Sequence, residues 1–192
     1  MFGSDSHRFK MKPVLSKSEV RAFEAKHKIM LPEDYRLFLL HVGRGGAGPA
    51  YGLFNLGEMD SYREFSPWKE GDGFVGELAA AFPHEKPWND LSGRPSSELA
   101  ETDEDEYFRL QEQFERRYFQ PTNGAIPICH LGCALRQWLV VSGKEAGHVW
   151  NDNTADYTGF EPASEVGLRR VTFFQWYRRW LDDAVAILVR SA

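Results

Sequence analysis

The sequence predicts an α+β fold, on three observations. Two stretches of helical periodicity open on capping-box signals, one near the start of the chain and one near its end. A cluster of β-rich runs lies between residues 125 and 152. These elements do not alternate strand with helix, as a doubly wound parallel sheet requires. The expectation is therefore a mixed or antiparallel sheet with helices packed on it.

The first helix is announced by LSKSEVRAFEAKH. Ser16 is the N-cap, Glu19 three residues on completes a capping box, and Leu15 is placed to staple against Val20. Val20, Phe23 and His27 then share a face. A second helix is read in LPEDYRLFLLHVG, with Pro32 in the first turn and Glu33 and Asp34 at the positive end of the helix dipole. Tyr35, Phe38, Leu39 and Val42 form its apolar stripe, and Gly43 is the expected C-terminal cap.

The glycine-rich stretch GRGGAGPAYGLF, from Gly43 to Phe54, follows that helix. A phosphate loop of the P-loop type runs the other way, from a strand into a helix N-terminus where free N–H groups face the anion. Here the glycines stand at the carbonyl end, and no Gly-Lys-Ser/Thr triplet follows. Their expected role is a tight passage into a strand, YGLFNL.

Residues 58 to 102 are rich in Gly, Pro, Ser and charge, with aromatic residues at no clear period, and read as loop and short elements. From Thr102, an N-cap candidate, TDEDEYFRLQEQFERRYF predicts a helix with Tyr107, Leu110, Phe114 and Tyr118 on one face. AIPICHL reads as a buried strand and QWLVVSGKEAGHVWND as a hairpin, with Leu139 and Val141 on one face and Trp138 and Val140 on the other. Thr172 and Gln175 form the second capping box, ahead of Phe173, Trp176, Tyr177, Trp180, Leu181, Ala184 and Leu188 at helical spacing.

At 192 residues, with 42% hydrophobic and 14% aromatic side chains, the chain is long enough for a substantial core and is expected to form one domain over 1–192. It has no leader-like apolar run and no segment suited to crossing a bilayer, so a cytoplasmic location is expected. The two cysteines, Cys129 and Cys133, are expected as reduced thiols.

The net charge of -5 is unevenly spread. Residues 1–50 carry nine basic and five acidic side chains, residues 51–110 five and fourteen, and residues 111–192 nine of each. An acidic middle argues against direct binding to nucleic acid, which needs a basic footprint. It favours a basic protein partner. The run ELAETDEDE concentrates Glu98, Glu101, Asp103, Glu104, Asp105 and Glu106 and reads either as a solvated helix entry or as a landing surface for a cationic partner. Trp68, Trp88 and Tyr107 flank it and are candidate interface anchors or core residues.

Other chemistry has weaker support. Cys129, His130, Cys133 and His148 lack the second ligand pair that zinc wants, so no metal and no cofactor are expected. Ser142, His148 and Asp152 make a triad only on paper, because Ser142 lacks the Gly-x-Ser-x-Gly elbow. Carboxylate pairs for glycoside hydrolysis have no support beyond the abundance of acids. No catalytic residue is assigned, and carbohydrate binding through exposed Trp is a weak alternative.

Three stretches together resemble the SUKH superfamily, also called the SMI/KNR family after fungal cell-wall assembly regulators. They are LPEDYRLFLLHVGRGGAGPAYGLFNL (31–56), GAIPICHLGCALRQWLVVSGKEAGHVWND (124–152) and TFFQWYRRWLDD (172–183). The resemblance implies an α+β domain without shared catalytic residues. It implies Leu31, Pro32, Tyr35, Gly46, Gly52, Trp138, Gly143 and Trp150 as framework. It also implies, for bacterial members, an immunity role: binding and neutralising a protein toxin, basic nucleases among them. Residues 58–122 match no family motif and are expected as a variable acidic insertion, so that a partner surface lying there would be particular to this protein. The alternatives are a regulatory or scaffold protein of the cell-wall assembly kind, and an uncharacterised hydrolase.

Overall fold

The computed structural model describes residues 1–57, 74–164, 167 and 169–190. The order is α1 (Ser4–His7), α2 (Lys17–His27), α3 (Glu33–His41), α4 (Ser97–Thr102), α5 (Glu104–Tyr118), β1 (Ala125–Gly132), β2 (Leu135–Val140), β3 (Val149–Asn153), a 3-10 turn (Thr154–Asp156), β4 (Gly159–Pro162) and α6 (Phe173–Arg190). The four strands form one antiparallel sheet in the order β1-β2-β3-β4, so the fold is α+β.

The capping boxes are present at both sites. Ser16 Oγ accepts from the Glu19 N–H while Glu19 Oε2 accepts from the Ser16 N–H at 2.7 Å. At α6, Gln175 Oε1 accepts from the Thr172 N–H at 3.0 Å, and Thr172 Oγ1 accepts from the Gln175 N–H at 3.4 Å. Each box satisfies helix N–H groups that have no carbonyl within the helix.

The sheet buries both faces. On one side Ile126, Leu139 and Val149 meet Val20 of α2, Tyr35, Phe38 and Leu39 of α3, and Phe173 and Trp176 of α6. Phe173 joins these helices, with ring centroids 4.7 Å from Tyr35 and 5.0 Å from Phe38, both edge-on. On the other side Trp138, Val140 and Trp150 pack with Phe82 and Phe160. Trp138 lies directly across from Trp150 in the β2–β3 register. Strand alternation read from the sequence thus holds between Trp138 and Val141.

Three local expectations are corrected. First, YGLFNL is not a regular strand. Gly52 sits at φ 98 and donates to the Pro49 carbonyl, which bends the chain. What remains is a bridge along β1, where the Tyr51 and Phe54 N–H groups donate to the His130 and Ile128 carbonyls at 3.3 and 3.1 Å. Gly46 pairs with Leu53 in turn, and the Lys10–Lys12 stretch hydrogen-bonds to Gly45 and Ala47. Second, α3 ends at His41 with Val42 as its cap. Val42 leaves the apolar stripe for the surface. Gly43 serves close approach rather than a left-handed turn: a Cβ there would lie 2.7 Å from the Lys12 carbonyl oxygen. Third, the helix predicted from Thr102 is capped one residue later, and a short helix, α4, precedes it. Thr102 closes α4 with its hydroxyl on the Glu98 carbonyl, and Asp103, at φ -151 and ψ 87, caps α5.

Candidate partner-binding surface

Helix α5 is anchored by its C-terminal half. Phe114 and Tyr118 are buried, with rings stacked at a 5.1 Å centroid separation, and both lie against Tyr157 at 5.9 and 5.7 Å. Tyr118 Oη donates to Asn89 Oδ1 at 2.7 Å, and Asn89 Nδ2 donates to the Tyr157 carbonyl at 2.8 Å. Arg94 lies 3.8 Å over the Tyr157 ring. Arg117 bridges to Asp90 at 3.1 Å, whose carboxyl is held below its usual range by Ser92 hydrogen bonds and then by the guanidinium. Tyr107 and Leu110 are half-buried, so the predicted face is correct, with its weight at one end.

The opposite end carries the acids. Asp103 Oδ1 accepts from the Glu106 N–H at 3.1 Å, so its carboxylate is engaged as a cap. Glu106 is paired with Arg109, whose Nε lies 2.6 Å from Oε2; that hydrogen bond lowers the Glu106 carboxyl. Glu98 and Glu101 on α4 and Glu104 and Asp105 on α5 are exposed and have no ion-pair partner among the described residues. Negative charges at a helix N-terminus are favoured by the dipole, which lets them cluster at small cost. The arrangement attracts cations at range and is weakened by salt.

Next to these acids stands Phe108, 59% exposed, its ring edge-on to Tyr107 at 5.6 Å. Sequence reading missed it. The signal was there: Phe108 falls off the Tyr107, Leu110, Phe114 and Tyr118 face, so a helix seated on that face turns it outward.

Trp88 is half-buried. Its ring stacks on His84 at 4.9 Å and on Tyr118 at 5.4 Å, and its backbone exchanges two 2.8 Å hydrogen bonds with Phe160 on the outer side of β4. Trp68 lies outside the described residues. Leu31, Tyr35, Trp138 and Trp150 are buried, Pro32 is half-buried, and Gly46, Gly52 and Gly143 have positive φ.

The paper triad has separate partners. Ser142 Oγ donates to the Leu78 carbonyl at 2.6 Å, His148 faces Glu145 at 3.5 Å, and Asp152 accepts from Trp138 Nε1 and from Thr154. Cys129 is buried, its Sγ 3.2 Å from the Pro49 carbonyl, while Cys133 is exposed. Among the described residues no group of three or more His, Cys, Asp or Glu is placed to hold a metal ion. None of their helices is long and apolar enough to cross a membrane.

A hydrogen-bonded antiparallel sheet carrying helices, with charge and an aromatic ring on an outward helix end, defines a single α+β scaffold. More narrowly, the SMI1/KNR4 family model (SUKH-1) matches residues 15–166, and the chain belongs to that family. Its members have immunity or cell-wall-related roles, are generally non-enzymatic and bind partner proteins. No curated protein and no solved structure matches the chain.

Proposed function

We propose that this protein is an immunity protein that binds a basic nuclease toxin and neutralises it by occlusion. The observation that carries this is the junction of α4 and α5, where Glu98, Glu101, Glu104 and Asp105 are exposed without an ion-pair partner among the described residues and Phe108, one turn on from Glu104, is exposed as well. A nuclease presents basic side chains to its polyanionic substrate, and clustered carboxylates compete for the same field. Carboxylates raise the encounter rate, and a central aromatic residue supplies affinity once water is excluded. No bond is made or broken.

The test has two arms. Co-expression with the toxin encoded beside it should restore survivors; failure to protect, with both proteins soluble, refutes the role. In the second arm, Glu101→Gln, Glu104→Gln and Asp105→Asn together remove charge without touching a cap or an ion pair. Association should slow about three- to tenfold at low salt and lose most of its salt dependence. An unchanged on-rate removes this surface from the mechanism.

A further inference from the structure

A cleft of about 780 Å³ is formed by the N-terminal segment, the glycine-rich loop and the β1–β2 turn. That size suits a small molecule, for which sites run about 300–1,000 Å³. Among the described residues its lining includes Arg8, Lys10, Lys12, His7 and His130 and contains no Asp or Glu. Arg8, Lys10 and Lys12 are exposed and have no ion-pair partner among the described residues. The two lysines act together for a reason of geometry. Their stretch is extended against Gly45 and Ala47, and Met11 between them packs on the core with Tyr177 Oη 3.6 Å from its sulfur. Alternation then sends Lys10 and Lys12 to the same side.

The floor is bare backbone at Gly46 and Gly52, with φ 106 and 98; a Cβ on Gly52 would run into the Gly46 carbonyl. His7 is 9% exposed, and its Nδ1 accepts from the Phe9 N–H at 3.0 Å, so the proton sits on Nε2. Burial lowers its pKa, which leaves the positive charge to Arg8, Lys10 and Lys12. One wall is aromatic: the His130 ring lies 5.3 Å from Tyr51 and 6.2 Å from Phe54. Left-handed backbone also gathers here. Of the seven described non-glycine residues with positive φ, Arg8, Phe9, Ala50, Cys133 and Ala134 line the cleft or adjoin residues that do. Backbone strain of this kind persists where the surroundings impose it, and it concentrates at ligand sites.

We propose that this cleft binds a small phosphate ester bearing a ring, of the nucleoside diphosphate class. The Arg8 guanidinium offers paired donors to phosphate oxygens, Lys10 and Lys12 add point charges, and the Tyr51, Phe54 and His130 wall takes the ring. This is not a phosphate loop: the glycines let the loop pack against residues 7–12, and the charge comes from upstream. Arg8, Lys10 and Lys12 lie before the family match at 15–166, while Gly46, Tyr51, Gly52, Phe54 and His130 lie within it.

The experiment is calorimetry on the full chain with ADP, pyrophosphate, adenosine and a hexaglutamate peptide. ADP should bind more tightly than pyrophosphate or adenosine. Lys10→Gln with Lys12→Gln should weaken ADP at least about tenfold while leaving the urea midpoint unchanged. Tyr51→Ser should weaken ADP and spare pyrophosphate. Absence of ADP binding, or ADP binding indifferent to the lysine pair, overturns the proposal. Hexaglutamate binding as tightly as ADP overturns it in favour of a peptide groove, and pyrophosphate matching ADP removes the ring.

Discussion

Replacing Phe114 by Ala tests whether α5 is held by its C-terminal half. The ring is 2% exposed and stacks on Tyr118, with Tyr157 beyond. Returning such a side chain to water costs about 1.5–3 kcal/mol. The cavity left between two aromatic neighbours brings the total to about 3–5 kcal/mol. For a chain of this size that corresponds to a fall in Tm of roughly 6–20 °C. Urea unfolding followed by Trp fluorescence measures the loss, and amide exchange in residues 104–113 should quicken as the anchored end lets go. Phe108→Ala is the companion. Its ring is mostly in water, so stability should stay within about 0.5 kcal/mol, while toxin affinity falls at least about tenfold. The reasoning fails if Phe114→Ala costs under about 1 kcal/mol, or if Phe108→Ala costs as much as Phe114→Ala.

Burial lowers the pKa of His7, His27 and His84. The unfolded chain takes those protons near pH 6.5 and the folded one only at lower pH. This stability is therefore complete above about pH 6.5 and lost as the pH falls through the folded values. The urea midpoint should drop between about pH 7.5 and 5; an unchanged slope in His84→Gln would exclude His84 as a contributor. A thiol reagent should find Cys133 at once and reach Cys129 only on unfolding, since burial also raises the Cys129 pKa. Equal native reactivity of the two contradicts that placement. Gly159→Ala forces a Cβ into the Trp88 carbonyl from a residue at φ 79. It should cost more than about 2 kcal/mol by denaturant titration, and a wild-type midpoint would show that the pairing of residue 88 with β4 is slack.

What could be read from the sequence was local. The boxes at Ser16 and Thr172 use residues three apart, and Trp138 to Val141 sort by simple alternation, so both were visible without knowing the rest of the fold. The end of α3 was misread because Gly43 answers to Lys12, some thirty positions away in the chain. Thr102 and Asp103 are both good caps, and only the extended backbone at Asp103 decides between them. The acids of α4 and α5 were plain, but their separation into engaged (Asp103, Glu106) and unpaired groups needed coordinates. The cleft was hidden for a stronger reason: its walls come from residues 6–12, 46–55 and 130–133, which only the folded backbone brings together.

The sheet also limits how this molecule can recognise others. Its outermost strands already share hydrogen bonds, β1 with residues 51–54 and β4 with Trp88. A visiting chain therefore cannot gain affinity by strand addition at those positions. Specificity has to be written in side chains on helices and loops, where one substitution retunes the choice of partner and leaves the scaffold standing.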